Sequence, residues 1–158
     1  MATYNRTVTG GGTVGHPSNA AVPYVITSPV WDTADGGTGG DVVQLIDVPA
    51  DTMIVAGCLE VLEAAGNGQI TMDIGFTGGD VDCFVDGSAL AAGFTPFLEA
   101  AVGASGSNAR MLTSADTIDA LILDGGSSGE SAARFRIHVV MVDVSVNPVE
   151  SATVSTGT

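Results

Sequence analysis

The apolar residues of this chain fall in short runs, rich in β-branched side chains and broken by turn residues, which is the pattern of strands and not of helices. The clearest run is 132–146, where Phe135, Ile137, Val139 and Met141 alternate with Arg134, Arg136 and His138. A period of two predicts one buried face and one polar face. Residues 69–76 alternate in the same way, with Ile70, Met72, Ile74 and Phe76 on one side. Residues 41–48 and 53–63 predict two more strands around a turn at 49–52. In the second of these the apolar parity changes, which predicts a bulge near Gly57. Residues 117–123 set Ile118, Ala120 and Ile122 against Leu121 and Leu123, so this strand is expected to be buried on both faces. Pro23 and Pro29 make 22–31 an edge or interrupted strand, because proline gives the ladder no N–H. Residues 65–68 (AGNG) supply a tight hairpin turn. Residues 109–113 predict a further strand, 94–102 is ambiguous, and 87–92 (GSALAA) is the one short helix candidate.

Residues 1–20 and 147–158 are rich in Gly, Ser and Thr and hold no period. The expected organisation is an N-terminal arm (1–20), a β-sandwich domain (21–146) and a C-terminal tail (147–158). Eight or so strands with regular turn signals and almost no helix predict an all-β fold. The expected architecture is an antiparallel β-sandwich, jelly-roll-like, with extended N- and C-terminal arms.

Charge then removes whole classes of partner. The 158 residues carry a formal net charge of −14 and no lysine; the four arginines are Arg6, Arg110, Arg134 and Arg136. Such a surface repels polyanions and anionic lipid, so no nucleic-acid and no membrane partner is expected. Charged residues make up only 14% of the chain, against about 25% in ordinary domains, which suits a protein covered by neighbours. No apolar run is long enough for a transmembrane helix, and residues 1–15 lack the signal-peptide pattern. Cys58 and Cys83 are expected as small buried apolar residues, with a bridge between them left open.

Candidate chemistry is sparse. Gly125–Gly129 matches the G-x-S-x-G spacing, but that elbow needs a strand before it and a helix after it, and this segment reads as a hairpin tip. The histidines are His16, in the arm, and His138, in mid-strand beside Arg136, and neither predicts a hydrolytic triad. No enzyme activity and no cofactor are expected. The glycine-flanked acidic segment with Asp80, Asp82 and Asp86 is a candidate weak Ca²⁺ site, since a hard cation takes oxygen ligands. Trp31 and Tyr24, if exposed in a groove, would favour sugar binding.

The run from Val48 to Val144 resembles small virion proteins of tailed bacteriophages, of the head-decoration (cement) or head-fibre kind. The resemblance is carried by Val48–Thr52 leading into an apolar strand, Met72–Phe76, the acidic Asp80–Gly87, the small-residue Ser88–Ala92, Ala115–Ala120, and the final strand from Arg134 to Ile137. It implies a structural, non-catalytic protein on the exterior of a capsid, bound to a major capsid protein and to copies of itself as a dimer or trimer. Its contacts would be made by the arm, with Tyr4, Arg6 and His16, and by Phe94, Phe97 and Leu98. The alternative reading is a head-fibre or tail-associated module that recognises host-surface glycans.

Overall fold

The computed structural model describes residues 3–9, 23–35, 39–66, 70–76, 79–97, 110–124 and 132–145, with 3–9 and residue 124 described by backbone alone. Eleven strands form: β1 (Thr3–Thr9), β2 (Pro23–Thr27), β3 (Trp31–Asp32), β4 (Val42–Val48), β5 (Thr52–Glu63), β6 (Thr71–Gly75), β7 (Val85–Ala89), β8 (Gly93–Pro96), β9 (Arg110–Leu112), β10 (Asp116–Asp124) and β11 (Arg134–Asp143). Among the described residues a 3-10 turn lies at Thr33–Asp35, and no helix is long and apolar enough to cross a membrane.

The strands lie in two sheets. One runs β1-β4-β10-β6-β7; the other runs β2-β11-β5-β8, with β3 beside β11 and β9 beside β5. Without β1, β3 and β9, eight strands remain, and they pair first with last: β2 with β11, β4 with β10, β5 with β8, and β6 with β7. This is one long antiparallel hairpin with its tip at β6–β7, rolled so that successive pairs fall in alternate sheets. The expected jelly roll is therefore the observed one. The antiparallel rule has one exception: β1 runs parallel to β4, from Thr3 opposite Val42 to Thr9 opposite Asp47. Part of the segment expected as an arm is thus an edge strand.

Alternation explains the core. Phe135, Ile137, Val139 and Met141 of β11 point inward with no exposed surface, as do Met72 and Ile74 of β6 and Ile118, Ala120 and Ile122 of β10. Strand β5 changes parity as expected. Thr52 and Ile54 are buried before the shift, Leu59 and Val61 after it. The extra residue is Val55, where the pairing steps from Met141–Ile54 to Val140–Ala56, two positions before the Gly57 expected from sequence. Strand β10 corrects the expectation of burial on both faces, since Leu123 is exposed.

The helix expected at 87–92 is absent, and β7 takes its first half. Asp86 and Gly87 together lie opposite Asp73 of β6, because the register shifts between Met72–Ser88 and Ile74–Val85. Gly87 sits at φ 57°, the left-handed conformation that glycine gives to a bulge. Its N–H donates to the buried Asp73 carboxylate at 2.7 Å.

Candidate interaction surface

Strand β11 is central in the second sheet, and its outward side chains are Arg134, Arg136, His138 and Val140. Register brings Arg136 opposite Glu60 and His138 opposite Cys58 on β5, and His138 opposite Thr27 on β2. One carboxylate oxygen, Glu60 Oε2, takes both the Arg136 guanidinium Nε–H and His138 Nε2, the latter at 2.8 Å. These two hydrogen bonds, Arg136 first, hold the Glu60 carboxyl below its ordinary range. An ionised Glu60 only accepts, so Nε2 carries a proton toward it, and in the neutral imidazole Nδ1 accepts from the Thr27 hydroxyl 2.9 Å away. Arg134, half exposed, lies 4.0 Å from Asp32.

A hydroxyl, an imidazole and a carboxylate in line are the parts of a hydrolytic relay. Such a relay also needs N–H donors aimed at a developing oxyanion. Thr27 and His138 are register partners on a flat ladder, whose N–H groups lie in the plane of the sheet and not above the hydroxyl. The arrangement is suited to fixing strand register and to presenting charge.

The depressed Glu60 carboxyl contributes stability above the ordinary glutamate pKa of 4.5, and that contribution is lost as pH falls through the lower folded value. Glu60→Gln is therefore expected to unfold at lower urea than the parent protein at pH 7, with the gap narrowing as pH falls below the ordinary glutamate range. A gap that persists unchanged in acid would exclude this ionic origin.

Around the polar group the same face is apolar. Five large apolar side chains among the described residues are exposed: Val25, Leu62, Phe94, Met111 and Leu123. The first four are on the second sheet, and Val25 and Phe94 are each about two-thirds exposed. Phe94 lies opposite Glu60 on β8, and Met111 lies opposite Met53 on β9.

The other residues singled out in the sequence distribute differently. Phe97, expected at a partner contact, is a core residue stacked on Phe84 at 4.8 Å between ring centroids. Tyr4 and Arg6 lie on β1, and their side chains are outside the described residues, as are His16, Leu98 and the Gly125–Gly129 segment. Trp31 is 2% exposed and Tyr24 packs against the core, so neither stands in an open groove. Cys58 and Cys83 are free thiols, not a bridge. Burial pushes Cys83 up to about 11, and burial followed by the Glu60 charge raises Cys58, which leaves both poor nucleophiles.

Asp80, Asp82 and Asp86, the candidate cation ligands, lie on the segment that leads into β7. Among the described residues no three His, Cys, Asp or Glu side chains gather as a metal ligand set. Asp80 pairs with Arg110 at 3.5 Å, and the Arg110 guanidinium also lies 5.0 Å from the Phe76 ring centre. Hydrogen bonding to Asp80 raises the Asp82 carboxyl, with burial and the Asp80 and Asp86 charges adding to it. Arg110 is thus the cation that pairs with this segment.

The residue that sequence reasoning missed is Glu60. A lone Glu inside an apolar strand carries no motif, and only the register across β5 and β11 reveals its partners.

No family model matches the chain, and no curated protein matches it. Two solved structures share its fold. A chain of the cyanophage Pam1 capsid asymmetric unit superposes with a TM-score of 0.60 at 12% identity, covering 77% of this chain and 85% of that one. A chain of the capsid of Ralstonia phage GP4 superposes with a TM-score of 0.58 at 16% identity, covering 79% and 87%.

Proposed function

We propose that this chain is a structural bacteriophage virion protein that sits on the exterior of the capsid and stabilises the shell as a decoration or cement protein. The observation that carries this reading is the fold shared, over more than three-quarters of the chain, with chains of two phage capsids. The net charge of −14 supports an outer position, because a lysine-free acidic subunit is poorly suited to line packaged DNA. The partner in this reading is the major capsid protein. A subunit that binds only the assembled shell stabilises it by mass action, without chemistry of its own.

The test compares capsids that carry the chain with capsids that lack it. Those lacking it are expected to release DNA at lower temperature, and adding back the purified protein is expected to restore the release temperature. Equal release temperatures would overturn the cement reading. Deleting residues 1–20, which removes β1, is expected to abolish shell occupancy while the remaining jelly roll stays folded. Normal occupancy of that truncation would take the N-terminal segment out of the contact.

A further inference from the structure

We infer that the outer face of the second sheet is where two copies of this chain pair, face to face, about a two-fold axis. The inference does not depend on the capsid reading, since it concerns the protein alone.

Charge distribution is the first argument. Two chains of −14 each repel wherever carboxylates face one another. This face instead carries Arg134 and Arg136 among Asp32, Glu60 and Glu63, so it is nearly neutral while the rest of the chain holds almost all the net charge. Four of the five exposed large apolar side chains among the described residues also lie on this sheet.

Register supplies the second argument, because the pattern is self-complementary. On adjacent antiparallel strands, Arg136 is opposite Glu60 and Arg134 is opposite Glu63. A two-fold axis between β11 and β5, parallel to both and lying in the contact plane, sets each β11 over the partner's β5. Arg136 then faces Glu60 of the partner subunit, and Arg134 faces the partner subunit's Glu63. The axis also satisfies the flanks. Phe94 shares a row with Glu60 and Arg136. It is carried to the far side of the facing β11, over the stretch between Thr27 and Trp31 where Pro29 is exposed. Val25, in the row of Val140 and Ala56, is carried toward the apolar flank formed by Pro96 and Met111. Isologous contacts require this kind of match, in which one residue meets a second and the second meets the first. Four strands at ~4.8 Å and eight residues at ~3.4 Å give a projected footprint of roughly 500 Å², at the small end of specific interfaces. Pairing is therefore expected to depend on concentration.

The experiment is light-scattering mass across a dilution series of the full chain. The expected mass is twice 15.7 kDa at high concentration, falling toward one chain on dilution. Arg136→Glu alone and Glu60→Arg alone are each expected to be monomers, since like charges then face across the axis. Mixing the two variants is expected to restore the dimer, because every facing pair becomes opposite in sign. Phe94→Glu changes a side chain that is 67% exposed, so it should fold normally and be monomeric. A wild-type monomer at high concentration, an assembly of three or more chains, or a dimer unchanged by both Phe94→Glu and the charge variants would each overturn the inference.

Discussion

Phe84→Ala is expected to destabilise the fold by about 3–5 kcal/mol, the usual cost of emptying a phenylalanine site in a close-packed core. For a domain of this size that corresponds to a fall in melting temperature of roughly 10 °C. Phe84 has no exposed surface. Its ring meets Phe76 edge-on at 5.2 Å and stacks on Phe97 at 4.8 Å. Phe76 follows β6 and Phe97 follows β8, so this one ring ties the tip of the rolled hairpin to the opposite sheet. Neither neighbour can fill the space without giving up its own position, and the aromatic pairs are lost with the apolar area. Phe94→Ala is the control: that side chain is exposed, and its loss is expected to stay within about 0.5 kcal/mol. Urea unfolding of the two variants side by side is the measurement. A Phe84→Ala loss as small as that of the control would mean the tip is not tied down through this ring.

The parts of the fold that were legible from sequence are those where one face is buried and one is wet. β11 and β6 announce themselves because burial on one face imposes a period of two on sequence. Once such strands are counted, the two-sheet class follows, and the parity change in β5 even places a bulge within two residues. The misreadings come from places where a long-range contact overrides a local preference. Residues 87–92 look helical by composition, yet the Asp73 carboxylate takes the Gly87 N–H and the segment pairs with β6. Likewise nothing local shows that Asp80 of the acidic segment pairs with Arg110, some 30 positions away in sequence. Phe97 reads as a loop aromatic because its partner Phe84 lies across the sandwich. The candidate surface was half legible: β11 displays Arg134, Arg136 and His138 as its polar face, but which residues answer them depends on pairing across 76 to 111 positions.

Gly75→Ala is expected to cost about 3 kcal/mol, for the opposite reason to Phe84→Ala: it adds one methyl group where there is no room. Gly75 ends β6, and a Cβ there would stand 2.2 Å from the Asp80 carbonyl oxygen and 2.5 Å from the Val81 carbonyl carbon. Both are backbone atoms, so no side-chain rotation can relieve the contact, and overpacking of this kind sits at the upper end of its range. The loop has little freedom to retreat. The Phe76 N–H donates to the Asp80 carbonyl at 2.9 Å, and the Phe84 N–H donates to the Ile74 carbonyl at 2.8 Å, which holds 80–84 down across the end of the strand. Moving the loop would also pull Asp80 from Arg110 and disturb the ring contacts of Phe84. Gly79→Ala separates this effect from any general loss of glycine, because its nearest neighbour would be 3.8 Å away, an ordinary contact. Thermal unfolding is expected to show a drop of roughly 6–12 °C for Gly75→Ala and almost none for Gly79→Ala. If Gly75→Ala melted with the parent protein, the loop would not lie against β6 in solution, and the arginine-held arrangement of the acidic segment would fall with it.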